Sequence, residues 1–480
     1  GLSPNTTPAD QEIDLFGAPG HRLWLEVSEA QLQLMNAGID SGGPIVGARG
    51  LNGDLYSPGG SATYVDHLVV EEAQHGTVAD YGKVQAKLVG QSTLRPWNGA
   101  SIPNVKIDMD EFQDKLRLGG EEHFRLNNGQ VGSIFREQLA HRLYRALGYP
   151  ALKTSFAFFG SNVWGPGVWI PMVLTEVYKG KFCRDNADLL GGQCANMWEF
   201  AGDLGMDVLP EGSCKLKECD DTRANELHTR ILQAPEGAGF AAALEDLVDW
   251  PRFHEFQCLS WILWTGDDAL HNSNNNLVVE RDDGRLLWLP YSVDISMGQD
   301  WYRDVTLYGT NLLSVRCQQD PDCWAATMST CGKLVADFDA LDPEKLLDET
   351  QATLTSLGMM RDGDEARAKE LRKWLVQRQL DLPAELELYS EPPGPDGCPG
   401  SLERCSDSTC GTHEQCVAIL CPAPSIWCES KLQCQALGAE DCPTCDAGTP
   451  FYCGVTGVCE PGVEVCTTAC GAGQRFCPQA

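Results

Sequence analysis

The sequence lacks the long apolar runs of membrane proteins and the excess of basic residues that polyanion-binding proteins carry. Across its 480 residues, no apolar run approaches the roughly 20 residues that a membrane-spanning helix needs. Lysine and arginine together number 36, against 68 aspartates and glutamates, which gives a formal net charge of -32. Because nucleic acids and anionic membrane surfaces repel such a charge, neither is expected as a partner. The composition is typical of a soluble extracellular protein, or of one that handles cations.

Paired zinc-binding motifs are also missing, although cysteine is abundant. The chain has 22 cysteines, but Cys442-x-x-Cys445 has no matching second motif, and His413 is the only histidine near it. Eight cysteines precede residue 340, and fourteen lie between Cys398 and Cys477. Both sets are even in number and irregularly spaced, which favours disulfide bonds over metal binding. The cysteines therefore predict an oxidising compartment, so the protein is expected to be secreted or held at a cell surface.

The length predicts several units, because a single hydrophobic core stops growing well below 480 residues. Prolines and glycines in SEPPGPDG mark a linker, and the tail beyond it has too few aliphatic residues to be stable without disulfide bonds. Such tails commonly bind a cell-surface or coat partner, and a stabilising extension without a partner is the alternative. The expected order is a flexible N-terminus (1–13), a sheet-rich lobe (14–180), a helix-rich lobe (181–389), the linker (390–397) and a disulfide-rich module (398–480).

Residue patterns predict a mostly antiparallel sheet of about five strands in the sheet-rich lobe. Ser28 begins a helix with an S-x-x-Q capping pattern, and Ser133 begins an amphipathic helix over residues 133–148. The expected strands are 21–27, 63–73, 82–93, 103–109, 152–159 and 167–177. The helix-rich lobe is expected to contain a Gly-rich insertion at 183–222, a cysteine-containing loop at 300–332, and helices within 223–264, 343–357 and 363–389.

Residues 261–298 place many aspartates and asparagines just before two short β-rich runs. Asp283-Gly284 joins the runs LVVE and RLLWLP, which is a strong hairpin signal, and Asp294 follows the second run. Such a hairpin brings the polar loop near Asp294. Carboxylate and carboxamide oxygens are the ligands that Mg²⁺ prefers, commonly shared with substrate phosphates. The stretch therefore suggests a phosphoryl-transfer site, and a surface loop with Asn and Asp in turns is the alternative.

Lys106 and Glu137 suggest a second part of such a site. Lys106 lies in an apolar strand pattern between Val105 and Ile107, and an inward-facing lysine is costly unless it is paired. Glu137 lies in the first turns of the helix that Ser133 begins. A strand lysine paired with a helix glutamate holds nucleotide phosphates in kinase folds. The alternatives are a Lys106 that faces solvent and a Glu137 that only compensates the helix dipole.

Seven segments, in order, resemble the CotH kinase family, the spore-coat CotH proteins and their secreted bacterial relatives. The resemblance covers about Leu15 to Leu388. NNNL is similar to the family's N-Y-Y-L, and PYSVD to its P-W-D-x-D. The segments are HRLWLEVSEAQLQLM, KLVGQST, VKIDMD, RLNNGQVGSIFREQLAHRLYRALGYPALKTSFAFF, VWIPMVLTEVYKGKF, NNNLVVERDDGRLLWLPYSVDISMG and WLVQRQLDL.

The resemblance implies an α+β, two-lobed fold of the atypical protein-kinase type, with an antiparallel-sheet N-lobe and a helical C-lobe. It implies a secreted enzyme that uses ATP with Mg²⁺ or Mn²⁺ to phosphorylate serine or threonine in proteins. By position, Lys106 resembles the phosphate-contacting lysine and Glu137 its helix partner. The segments that would adjoin the nucleotide also contain Gly90, Ser92 and Glu176.

The resemblance assigns the remaining roles to the polar loop and the hairpin. Asp268, or Asp267, resembles the loop carboxylate that orients the acceptor hydroxyl. Asn274, or Asn272, would bind the metal together with Asp294. Asp268 to Asn274 is one position longer than the protein-kinase spacing, whereas Asp267 to Asn272 matches it, so both pairs stay open.

The sequence departs from the family at two positions. Ser292 stands where the family has its first aspartate, and Val89 stands where it has a basic residue. Three functions are therefore weighed. The first is a protein kinase, the second is a degenerate kinase-like surface or coat protein that binds through its tail, and the third is nucleotidyl transfer on the same fold.

Overall fold

The computed structural model describes most of the chain before residue 391 and the backbone of short strands beyond it. The described ranges are 13–37, 39, 63–90, 94–129, 133–204, 209, 212–271, 275–298 and 305–390. The chain divides into two compact units, Gly1–Glu387 and Leu388–Ala480. The first unit mixes β-sheet and α-helix, in agreement with the expected α+β class.

A nine-stranded sheet forms the first half of this unit, in the order β2-β5-β6-β7-β9-β8-β1-β3-β4. All neighbours pair antiparallel except β1 and β8, which run parallel. Apolar and polar residues alternate along β5, which is the pattern of a strand with one buried face. The strands are β1 His21–Glu26, β2 Thr63–Val65, β3 His67–Glu71, β4 Val78–Asp80, β5 Val84–Val89, β6 Asn104–Asp108, β7 His123–Asn127, β8 Thr154–Ser161 and β9 Trp169–Glu176.

The sheet is larger than the predicted sheet of about five strands. Two of its nine strands, β4 and β7, were not expected, and one of the six predicted segments is broken into two strands. Residues 63–73 divide at Asp66, whose carboxylate accepts a hydrogen bond from the backbone N–H of Ser28. Ser28 in turn caps helix α1, Glu29–Asn36, as predicted. Helix α2, Ile134–Ala146, begins after Ser133, which also agrees with the prediction.

The second half of the unit is rich in helices but carries its own four-stranded sheet, in the order β11-β10-β12-β13. Residues 183–222 are therefore more than an insertion, because they supply two strands of this sheet. The elements are α3 Gly180–Asp185, α4 Ala187–Leu190, β10 Cys194–Phe200, β11 Gly212–Cys214, α5 Asp221–Gln233, α6 Phe240–Ala243, α7 Trp250–Ile262, β12 Asn276–Arg281, β13 Leu286–Leu289, α8 Leu312–Gln319, α9 Pro321–Leu341, α10 Pro343–Ser356 and α11 Asp364–Leu388.

The prediction of a loop at 300–332 is wrong from Leu312 onward. The side chain of Asn311 caps α8, and that of Asp320 caps α9, whose first residue is Pro321. Proline is well suited to the first turn of a helix, so this Asp-Pro pair starts a helix inside the predicted loop. The cysteines of this stretch join helices, because Cys317 lies in α8 and Cys323 and Cys331 lie in α9.

All eight cysteines of the first unit form disulfide bonds, which confirms that expectation. Cys183 pairs with Cys194, Cys214 with Cys219, Cys258 with Cys331, and Cys317 with Cys323. The third bond ties α7 to α9 across a sequence separation of 73 residues. In the described part of the chain, no helix is both long and apolar enough to cross a membrane.

The second unit shows three two-stranded ladders in its described backbone. Their strands are β14 Glu403–Arg404 with β15 Cys410–Gly411, β16 Ser425–Cys428 with β17 Gln433–Ala436, and β18 Phe451–Cys453 with β19 Val458–Glu460. The predicted linker, 390–397, lies outside the described residues beyond its first position.

Candidate functional site

The predicted hairpin is present, and Asp294 lies shortly after its second strand. β12 and β13 pair through Val278 and Trp288, and the turn holds Gly284 at a φ of 81°, a value that favours glycine. Asp294 lies five residues after Leu289, the last residue of β13. Helix α2 fixes the next residues, because Arg136 donates hydrogen bonds to the carbonyls of Ser296 and Met297.

Asp294 lies among other carboxylates. The pKa of Asp294 is raised to about 7, first by burial and then by the negative charges of Glu137 and Asp267, whereas Arg125 opposes the rise. The hydroxyl of Ser292 donates a 3.2 Å hydrogen bond to its Oδ1. Asp294 and Glu137 thus share the positive field of Arg125, and Asp267 adds a further negative charge near Asp294. Carboxylate oxygens are the ligands that hard divalent cations prefer.

Glu137 pairs with Arg125 and not with Lys106. The guanidinium of Arg125 lies 2.9 Å from Glu137 Oε1, and the Glu137 side chain is only 3% exposed. β7 neighbours β6 in a register that places Arg125 directly opposite Lys106. Among the described residues, no ion pair joins Lys106 to Glu137. The helix glutamate therefore binds the cation one strand farther along the sheet than the sequence suggested.

Lys106 belongs to a row of cations across three strands. Lys87, Lys106 and Arg125 are successive cross-strand partners on β5, β6 and β7, so their side chains share one face of the sheet. The pKa of Lys106 is lowered to about 8, mainly by burial and then by the positive charge of Lys179. Asp108 opposes that shift, while Lys215 and Lys87 add to it. Several positive charges around a partly exposed lysine form a place where a polyphosphate is favoured.

The structure separates the roles of Asp267 and Asp268. The buried carboxylate of Asp268 accepts hydrogen bonds from Ser260 Oγ and from the backbone N–H groups of Leu270 and His271. It also forms a 3.0 Å ion pair with the His271 ring, which raises the pKa of that histidine despite its burial. Asp268 is thus committed to holding the loop. Asp267 instead acts electrostatically on Asp294.

Three of the expected site residues lie outside the described part of the chain, namely Ser92, Asn272 and Asn274. Gly90 is described and follows β5 with a φ of 115°, a value that favours glycine. The placement of the asparagines relative to Asp294 therefore stays a prediction.

Glu176 lies apart from the cationic row. On β9 it faces Phe124, whereas its neighbour Thr175 faces Arg125, so Glu176 points to the other side of the sheet. Its Oε2 accepts a 3.0 Å hydrogen bond from the backbone N–H of Lys153. Burial raises the pKa of Glu176 to about 7. The structure therefore does not bring Glu176 to Lys106.

Sequence reasoning missed Arg125, Lys179, Lys215 and Glu199. Lys215, just after β11, forms an ion pair with Glu199 of β10. The negative charge of Glu199 is the main cause of the raised pKa of Tyr291, which lies three positions before Asp294. The sequence does place Lys87, Lys106 and Arg125 at alternating positions of their strands. That pattern predicts a shared cationic face only when the register of β5, β6 and β7 is known.

No protein-family model matches the chain, and no curated protein matches it. The resemblance to the CotH kinase family rests on the seven quoted segments and stays a prediction.

Proposed function

We propose that the chain is a secreted CotH-like protein kinase that transfers the γ-phosphoryl group of ATP to serine or threonine of a protein. The observation that carries this proposal is the meeting of two sets of charges at Arg125. Arg125 ends the cationic row that contains Lys106, pairs with Glu137 and acts on Asp294, whose charge environment also includes Asp267. Phosphoryl transfer requires both, since the phosphates need cations and the metal needs carboxylates.

Each residue in this proposal has a stated task. Lys106 neutralises charge that develops on the transferred group, and Arg125 holds Glu137 and contributes a second positive charge. Asp294, with Asn274 of the neighbouring loop, holds Mg²⁺ or Mn²⁺, which when bound to ATP draws charge from its phosphates. Asp267 orients the acceptor hydroxyl toward the phosphorus. Asp268 keeps the loop in place through its hydrogen bonds.

One observation favours a degenerate, scaffold-like protein as the second candidate. Glu137 is already occupied by Arg125, so Lys106 receives no orienting contact from the helix in the described residues. In this alternative the first unit supports a cysteine-rich tail that binds a cell-surface or coat partner. Nucleotidyl transfer is a third outcome, because the same charges suit the α-phosphate.

The test uses the full chain with γ-labelled and, separately, α-labelled ATP, in Mg²⁺ or Mn²⁺ and with a mixture of secreted proteins as acceptors. We expect acceptors, or the chain itself, to retain γ label only, and Asp294→Asn to lose it. Asp80→Asn, at an edge strand far from the hairpin in sequence and bonded to His67, is the matched control and should keep full labelling. Retention of α label would show nucleotidyl transfer. No label with either nucleotide, at unchanged fold, would overturn the proposal in favour of the scaffold.

A further inference from the structure

Three groups of histidine, cysteine and carboxylate side chains bring their ligand atoms within 4.8 Å of one another in the described residues. His254 with Cys317 and Cys323 is excluded, because the two cysteines form a disulfide bond. The second group, Glu121, Glu176 and Asp185, already contains a cation, since Lys181 pairs with both Glu121 and Asp185. The third group is Asp108, Asp110 and His123, called here the DDH cluster.

The DDH cluster is built by the pairing of two strands. Asp108 on β6 and His123 on β7 are direct cross-strand partners, and Asp110 lies two positions beyond Asp108. The carboxyl groups of Asp108 and Asp110 lie within hydrogen-bond reach of each other. Arg117 contacts Asp110 Oδ2 at 3.2 Å, and it also binds Glu122 at 2.8 Å. Two carboxylates in contact repel each other unless a proton or a cation lies between them.

The convergence of an imidazole with two carboxylates distinguishes this cluster from an ordinary ion pair. His123 Nδ1 lies 2.9 Å from Asp108 Oδ2, and neither Nδ1 nor the buried Asp108 Oδ1 makes a well-aligned hydrogen bond in the described part of the chain. His67 and Asp80 lie at the same distance of 2.9 Å, form a hydrogen bond and have no second carboxylate in such a group. One nitrogen and two carboxylate oxygens within 4.8 Å of one another can bind a common cation.

We propose that the DDH cluster binds a divalent transition-metal cation of the Zn²⁺ or Mn²⁺ class. The ligands are one oxygen each of Asp108 and Asp110 and Nδ1 of His123, with water completing the coordination. Imidazole and carboxylate together suit these ions, whereas Ca²⁺ and Mg²⁺ prefer oxygen alone. Arg117 fixes the Asp110 carboxylate from its outer side.

This site is separate from the carboxylates around Asp294 and does not depend on the proposed kinase activity. It contains no residue assigned to phosphoryl transfer. Its nearest link to that site is Asp108, whose charge acts on Lys106. A bound cation would weaken that negative field on Lys106.

The experiment measures Zn²⁺ and Mn²⁺ binding to the full chain, oxidised and cleared of metal, without nucleotide, by isothermal titration calorimetry and by thermal shift. His123→Asn and Asp108→Asn are the test variants, and circular dichroism confirms that each is folded. His67→Asn is the matched control, since it removes a histidine that pairs with a single carboxylate. We expect the wild type and His67→Asn to bind Zn²⁺ and Mn²⁺ alike, and both test variants to lose one equivalent or to bind it more than about tenfold more weakly.

Equal binding in the wild type and in both test variants would overturn the proposal, as would binding to the wild type only at millimolar metal. An equal loss of metal binding in His67→Asn and in His123→Asn would also overturn it, because the loss would then not be specific to the DDH cluster. If a test variant is unfolded, Arg117→Lys provides a milder change at the edge of the cluster. In that variant binding should weaken while the thermal transition without metal stays in place.

Discussion

Arg125 donates to Glu137 across 2.9 Å, so the ion pair between the large sheet and helix α2 belongs to an arginine on β7. Glu137 is nearly buried at 3% exposure, and burial raises its pKa while Arg125 opposes that rise. Removal of one partner of a buried ion pair costs about 3–5 kcal/mol because the other charge is left without compensation. The pair therefore anchors the helix and determines where its glutamate points.

Arg125→Met should consequently lower the free energy of unfolding by about 3 kcal/mol, as measured by urea denaturation. The double variant Arg125→Met with Glu137→Gln should recover most of that loss, since no buried charge remains. Arg22, which pairs with Glu71 at an exposed position, is the control, and Arg22→Met should change stability by less than about 1 kcal/mol. A double variant as unstable as the single one would contradict this account.

Lys106 should react as a neutral amine at lower pH than an ordinary lysine. Burial lowers its pKa to about 8, whereas a lysine in an unfolded chain titrates near pH 10.4. Acetylation of Lys106, followed by mass spectrometry between pH 6 and 11, should show a midpoint near pH 8 in the folded protein. The same residue in guanidinium chloride is the matched control. Coincident midpoints in the two states would refute the prediction, and ATP should slow the folded-state reaction.

Asp267 and Asp268 should respond in opposite ways to substitution. Asp268→Ala removes the acceptor of four contacts, one from Ser260 of α7 and three within the loop, so we expect the free energy of unfolding to fall by about 3 kcal/mol or more. Asp267→Asn should leave the melting temperature unchanged or raise it, because one repulsive charge near Asp294 disappears. The Asp267→Asn variant should nevertheless lose γ-phosphoryl transfer. Calorimetry and the labelling assay, run on the same preparations, separate the two effects.

Asp294 should make stability fall as pH rises from about 4 to 7. Its folded-state pKa is raised to about 7, so in this range the folded chain retains a proton that an unfolded aspartate, with a pKa near 3.9, releases. Asp294→Asn should therefore raise the free energy of unfolding at pH 8 by at least about 1 kcal/mol and flatten this part of the pH profile. Asp80→Asn is the control. If the free energy of unfolding of the wild type and of Asp294→Asn changed with pH in the same way, the raised pKa of Asp294 would be excluded as the cause.

The disulfide between Cys258 and Cys331 should matter more for stability than the one between Cys214 and Cys219. Their sequence separations are 73 and 5 residues. Loop-closure entropy predicts about 4 kcal/mol for the long loop and about 2 kcal/mol for the short one. Paired Cys→Ser variants at each bond, compared by guanidinium denaturation, test that order. Equal losses would show that strain or residual structure dominates over entropy.

The sequence by itself determined the features that depend on neighbouring residues. Ser28 and Ser133 begin helices through local capping, Asp283-Gly284 makes its turn through backbone preference, and the even cysteine count indicates disulfide bonds. One wrong prediction also has a local cause. Asp320 and Pro321 start α9 inside a stretch that was predicted to be a loop.

Only the tertiary structure decided which side chains meet. Strand register makes Arg125, rather than Lys106, the partner of Glu137, and a shift of one residue would exchange every side chain between the faces of the sheet. Hydrogen bonding inside the loop commits Asp268, whereas the charge of Asp267 acts on Asp294, although the two residues are adjacent and chemically identical. Contacts between residues far apart in sequence depend on register and packing, which a pattern along one strand does not contain.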